Sequence, residues 1–123
     1  MSKIRVATLG LVAAVVMLAW ALPATAHYSR AATTIIVSAG KPTPFSFTLS
    51  TKTVKHGTVT FSVKNAGQGL QHDFWINGKK TSLLSPGKSA ILKVTFAKAG
   101  SYPYKCTVAG HAAAGMKGTL KVT

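Results

Sequence analysis

Near the end of this 123-residue chain a cysteine, a histidine and a methionine follow one another at five-residue intervals, in the run YKCTVAGHAAAGMKGTL: Cys106, His111 and Met116. A thiolate, an imidazole and a thioether are soft or borderline donors to a metal ion. One loop between two strands can bring all three to a point. With a second imidazole from elsewhere the set becomes two histidines, a cysteine and a weak axial methionine, which favours copper in an electron-transfer site. His72, in GLQHDFWI, is the candidate for that fourth donor. Taken singly, each residue has a plainer explanation. A lone cysteine on a strand is often a small buried hydrophobe, a lone methionine a core residue and a lone histidine a solvated loop residue. Together, in this order, they read as ligands. His56, before Gly57 in a turn, reads as a surface residue.

Such donors need rigid elements to hold them, and the chain reads as short strands between turn signals. Strands are expected at 33–38 (TTIIVS) and 45–49 (FSFTL), with Lys41-Pro42-Thr43-Pro44 breaking the chain between them. Residues 57–64 alternate Val59, Phe61 and Val63 with Thr58, Thr60 and Ser62, the period of a half-buried strand. A strand at 73–76 runs into Asn77-Gly78, a tight-turn signal. Further strands are expected at 89–96, at 101–107 leading into the ligand loop, and at 118–122. No segment after the first 26 residues has a helical period. Seven or so strands at about ten-residue spacing indicate an antiparallel sandwich or barrel.

Residues 1–26 have the make-up of a secretory signal. Lys3 and Arg5 open it, 6–22 is apolar, and Ala24-Thr25-Ala26 is a small-x-small cleavage site. An apolar run of 17 residues is also close to the lower limit for a membrane span, so an uncleaved anchor is the alternative. Cys106 is the only cysteine, which excludes a lipid-attachment cysteine and an internal disulfide. Residues 27–32 are read as a flexible arm and 33–123 as one domain. Cleavage after Ala26 makes His27 the first residue, where an amine and an imidazole can chelate copper; tail behaviour is the preferred reading.

Beyond residue 26 the chain holds 13 Lys and Arg against one acid, Asp73, a formal charge of +12. That balance points to an anionic partner or surface. Nucleic acid is excluded by export and by the lack of a basic cluster or stacking motif.

At Tyr102–Val122 the sequence resembles the cupredoxins, in the broad plastocyanin/azurin group: Tyr-x-Tyr-x-Cys leads through Gly-His to Gly-Met-x-Gly-Thr-Leu. The resemblance extends over about Thr33 to Thr123. It implies an all-β, Greek-key β-sandwich or barrel of seven to eight mostly antiparallel strands with copper near one end. Carried over residue by residue, it implies His72, Cys106, His111 and Met116 as the ligands. Gly110, Gly115 and Gly118 are expected to let the backbone fold closely around the ion. One departure is Asp73, where the family commonly has Asn. A carboxylate can accept from Thr107 or a backbone N–H but cannot donate, and its charge should favour Cu(II) and lower the potential. The family's acidic docking patch, known in some plastocyanins, is also missing.

Enzyme readings fail on the same residues. Cys106 is flanked by Lys105 and Thr107, not by the extra histidines a catalytic copper needs, and there are four histidines in all. A binuclear copper centre needs two cysteines, and one acid cannot supply a Ser-His-Asp set with conviction. The leading expectation is an exported, periplasmic or extracellular one-electron carrier, monomeric, with no small-molecule substrate. The alternative is a copper carrier for delivery or resistance. The family's C-terminal histidine ligand reaches towards the surface, so His111, beside Ala112–Ala114, is the expected electron exit. Lys105 and Lys117 are expected to steer an acidic redox protein or an anionic membrane-associated domain there.

Overall fold

The computed structural model describes Gly10 and residues 32–123, which form nine strands. In chain order these are β1 (Thr33–Ala39), β2 (Phe47–Leu49), β3 (Thr53–Val54), β4 (Gly57–Asn65), β5 (Trp75–Ile76), β6 (Lys79–Lys80), β7 (Ser89–Phe96), β8 (Gly100–Lys105) and β9 (Lys117–Val122). The described residues contain no helix. The signal read at 1–26, the arm at 27–32 and His27 lie outside them, apart from Gly10 and Ala32.

The alternation read in 57–64 is the one the fold uses. Val59, Phe61 and Val63 are fully buried, while the residues between them face outwards. β4 lies in a four-stranded sheet of order β2-β1-β4-β7, and the second sheet has five strands in the order β3-β9-β8-β5-β6. Phe61, Ile35 and Phe96 from the first sheet meet Phe74, Ile76, Tyr104 and Leu120 in a single core. Each large apolar side chain buried there contributes roughly 1.5–3 kcal/mol. Aromatic rings lock the centre, with Phe74 5.2 Å from Phe61 and 5.5 Å from Tyr104. This is the expected β-sandwich.

Its details depart from the expectation. The two-residue strands β3 and β6 raise the count to nine, and the second strand begins at Phe47, with Phe45 packed against His111 instead. The expected 73–76 strand is reduced to Trp75–Ile76. Asn77 and Gly78 both have positive φ, 49° and 76°, and close the β5–β6 hairpin as the dipeptide predicts. β1 pairs with β4 in parallel along its whole length, and β3 pairs in parallel with β9, so both sheets are mixed.

The ends of these strands carry the candidate site. Cys106 directly follows β8, Met116 directly precedes β9, and Cys106, Met116 and Ala39 form a second small buried cluster. Antiparallel pairing of β8 with β9 in a register that sets Lys105 opposite Lys117 therefore brings the two sulfur-bearing residues together.

Candidate metal centre

The segment 106–117 is held by its own backbone. Cys106 N–H donates to Met116 C=O at 3.1 Å, and Met116 N–H donates to His111 C=O at 3.0 Å. His111 N–H in turn donates to Val108 C=O at 3.1 Å. Three of the four candidate ligands are thus tied by main-chain bonds that need no metal. The tight path requires left-handed backbone at Gly110 (φ 82°) and Gly115 (φ 115°), as expected for those two glycines. Gly118 differs: it is an ordinary strand residue of β9, and its missing side chain makes room for the Tyr104 ring opposite it.

His72 arrives from the other side. It makes a one-residue bridge with Leu84, with N–H···O bonds of 3.0 and 2.7 Å in the two directions. The loop before it is braced by Asn65, a fully buried amide whose Nδ2 donates to the carbonyls of Leu70 and Leu84, both at 2.8 Å, and whose Oδ1 accepts from Gly67 N–H. The loop also packs closely against the chain after β1. A side chain at Gly40 (φ 81°) would begin 2.8 Å from Gly67 Cα and 3.1 Å from His72 Nε2, so only glycine fits.

The result is convergence of donors. His72 Nδ1 and His111 Nδ1 are 3.2 Å apart, and Cys106 Sγ lies 3.5 Å from the His111 nitrogen and 4.0 Å from that of His72. First-row ions bond imidazole nitrogen at about 2.0–2.1 Å and thiolate at about 2.3 Å, as zinc does. Every separation is shorter than the sum of two such bonds, so one ion can touch all three atoms. With both Nδ1 atoms turned inward, His72 Nε2 is left buried, with no hydrogen-bond partner among the described residues. Met116 is buried in the same cluster as Cys106. The donor set and its geometry fit copper.

Exposure ranks the four residues. His72 and Met116 are 0% exposed, Cys106 1% and His111 8%, so His111 is the one nearest solvent. Phe45 packs edge-on against its ring at a centroid distance of 5.1 Å. Asp73, next to His72, accepts from Thr107 N–H at 2.6 Å and from the Thr107 hydroxyl. The carboxylate therefore braces the residue after Cys106 by accepting alone, as its chemistry requires.

Asn65 and Phe45 were not singled out by the sequence reading. Asn65 had a signal: it continues the inward phase of Val59, Phe61 and Val63, where an amide must find buried partners. Phe45 had none, since its contact depends on the relative placement of two distant loops.

Burial pushes the Cys106 thiol above its ordinary range, although backbone N–H groups of Asp73 and Val108 act the other way. Without metal the side chain is a neutral thiol at pH 7, and copper must displace its proton. Burial also lowers the His72 pKa, helped by His111 nearby and opposed by Asp73. A histidine with a depressed folded-state pKa takes up its proton earlier in the unfolded chain, near pH 6.5. The His72 contribution to the stability of the metal-free protein is therefore fully present above that pH and is lost progressively as pH falls towards the folded-state value. Urea midpoints of the metal-free protein should be lower at pH 5.5 than at pH 7.5. The difference should shrink in His72→Gln, and an unchanged difference would assign the effect to another group.

The family model for copper-binding proteins of the plastocyanin/azurin family matches residues 27–123. Solved structures of similar fold include auracyanin B, at 26% identity and TM-score 0.67, covering 75% of this chain and 89% of that one. Rusticyanin from Thiobacillus ferrooxidans is 27% identical with TM-score 0.60, covering 73% of this chain and 76% of its own. A dithionite-reduced auracyanin from Roseiflexus castenholzii shares the fold at 24% identity and TM-score 0.64, covering 75% and 98%. No curated protein matches the chain in sequence.

Proposed function

Because this chain belongs to the plastocyanin/azurin family of copper-binding proteins, we propose that it is a blue copper protein carrying single electrons between redox partners, with no catalytic site of its own. The observation that carries this reading is the meeting of His72, Cys106 and His111 within one buried cluster beside Met116. These four residues are the ligands in this reading. Copper supplies exchange between Cu(I) and Cu(II). The protein contributes a fixed, dry donor set. Soft sulfur and borderline nitrogen suit both oxidation states, and little has to move between them. Main-chain bonds among Cys106, His111 and Met116 resist rearrangement of the loop. Electrons leave most readily at His111, the ligand nearest the surface, past Phe45 and Ala112–Ala114.

Voltammetry of the copper-loaded protein tests this reading. A reversible one-electron wave is expected, with the metal retained through repeated cycles. Loss of copper to a metal-free acceptor during cycling, with no reversible wave, would instead mark a delivery protein.

We also propose that the protein is exported, on the strength of Lys3, Arg5, the apolar run and the Ala24-Thr25-Ala26 site. Mass spectrometry of protein recovered outside the cytoplasm should find a chain beginning at His27. An intact Met1 on membrane-bound material would favour an anchor.

A further inference from the structure

Exposed lysines cap the end of the sandwich farthest from the copper ligands. At that end β1, β4 and β8 begin and β7 and β9 finish: Thr33 pairs with Val59, Gly57 with Phe96, and Gly100 with Val122. The chain between β2 and β4 closes over it with Lys52, Lys55 and His56, and the β7–β8 turn adds Lys98. Lys121 joins them from β9, where its N–H donates to Lys52 C=O at 2.8 Å and it stands in register with Thr53. Lys52, Lys55, Lys98 and Lys121 are all exposed, and the other exposed residues among them, Thr53, Ala97, Ala99 and Gly100, are small or polar.

The chain has no acidic side chain to answer them. Asp73, its only one, lies at the copper end, bound to Thr107 beside Cys106. The Thr123 main-chain oxygen accepts from His56 N–H at 2.7 Å and lies 3.0 Å from His56 Nδ1. The two ends are also far apart electrically. β4 joins them, and its nine residues cover roughly 30 Å, whereas the field of a charged surface decays over about 8 Å at physiological ionic strength. An anionic surface touching the lysine end is hardly felt by Lys64, Lys88 or Lys117 at the copper end.

Which surface this is follows from the chain that enters here. β1 starts at Thr33, and the apolar run 6–22 is separated from it by residues 23–32 alone, Arg30 among them. That connection spans at most about 36 Å when fully extended. An apolar run kept in a bilayer is therefore attached to the lysine end and brings that end to the headgroups. If the run is removed at Ala26, the same lysines remain to bind headgroups by themselves.

We propose that this end of the sandwich rests on anionic phospholipid headgroups, so that the copper site and His111 face away from the membrane. The proposal rests on the export reading, which sets the domain beside a membrane surface. Each lysine near an anionic bilayer is worth about fivefold in affinity, and Lys52, Lys55, Lys98 and Lys121 act together. An electron partner then meets His111 from the aqueous side.

The test uses Cu(I)-loaded protein as its cells process it, on nanodiscs in which a trace of the headgroups carries a nitroxide. Amide NMR reads the paramagnetic broadening on phosphatidylglycerol discs and on phosphatidylcholine discs. On phosphatidylglycerol, broadening at Lys52, Lys55, Lys98 and Lys121 should exceed that at Ala112–Ala114 by about tenfold or more, the ends being roughly 30 Å apart. On phosphatidylcholine the contrast should collapse. Titrating the phosphatidylglycerol fraction gives an apparent affinity for the contact, which Lys52→Glu/Lys98→Glu should weaken about 25-fold or more. Lys64→Glu/Lys88→Glu, an equal change of net charge at the copper end, should weaken it less than about threefold. Uniform broadening, broadening centred on Ala112–Ala114 or on Lys105 and Lys117, or equal loss in the two pairs would overturn the proposal. So would binding of a glutamate decapeptide at the capping lysines with no response to phosphatidylglycerol, which would mark an acidic protein as the occupant. Export is read separately, from the N-terminus found by mass spectrometry, so its failure would leave the nanodisc result standing.

Discussion

Cys106→Ser is expected to be colourless with Cu(II), where the unsubstituted protein should be intensely blue. The colour of a copper–thiolate bond comes from charge transfer out of sulfur, and serine offers an oxygen that stays protonated at neutral pH. Nothing nearby can replace the thiolate, since Cys106 is the only cysteine and the remaining converging donors are the two histidines and Met116. Loss of a partner behind a ligand commonly costs 10–100-fold in metal affinity, so loss of the ligand itself should cost more than about 100-fold. The fold should survive, because Cys106 sits in a small cluster separate from the main core and serine is nearly isosteric. Far-ultraviolet circular dichroism of the variant should match that of the parent. An absorption band that persisted in Cys106→Ser would refute the ligand assignment.

Gly118→Ala should damage the protein without touching a ligand. A methyl at that position would lie 2.9 Å from Tyr104 Cε2 and closer still to Cζ and Oη. The ring cannot easily yield, because Tyr104 is buried with Phe74 at 5.5 Å and Phe47 at 5.8 Å between centroids. Overpacking of this kind costs about 1–3 kcal/mol, and expelling the ring would cost more. For a domain of this size each kcal/mol lowers Tm by roughly 4–8 °C. Thermal melts should show a fall of about 4 °C or more for Gly118→Ala and almost none for Thr119→Ala, an exposed neighbour on the same strand. Equal melting of the two variants would mean that the ring has room to move.

The order of donors in the chain was readable because 106–116 is local: the ligand spacing, the glycines and the flanking strands all lie within one run. The long strands were readable for a similar reason, since Val59, Phe61 and Val63 state their own period. Thr53–Val54 and Lys79–Lys80 state none, being too short to alternate. Parallel pairing of β1 with β4 was also out of reach, because it depends on contacts between segments separated by a whole strand pair. The position of His72 relative to His111 is of this second kind. His72 is named as the fourth donor from its chemistry and from the resemblance, not from local spacing, and only the folded sheets bring its Nδ1 to 3.2 Å from that of His111.

The place of β9 between β3 and β8 sets an order of events in time. Until residues 117–122 have been made, β8 lacks one of its two neighbours in the five-stranded sheet, β3 has no strand partner, and the register that sets Lys105 opposite Lys117 cannot form. A chain that ends before β9 therefore leaves one edge of β8 unpaired, because contacts that join distant segments form only when both are present. Such a chain can present the Cys106 sulfur and the histidines one at a time, but not as a cage. The complete donor set for copper is therefore expected only once β9 has docked beside β8.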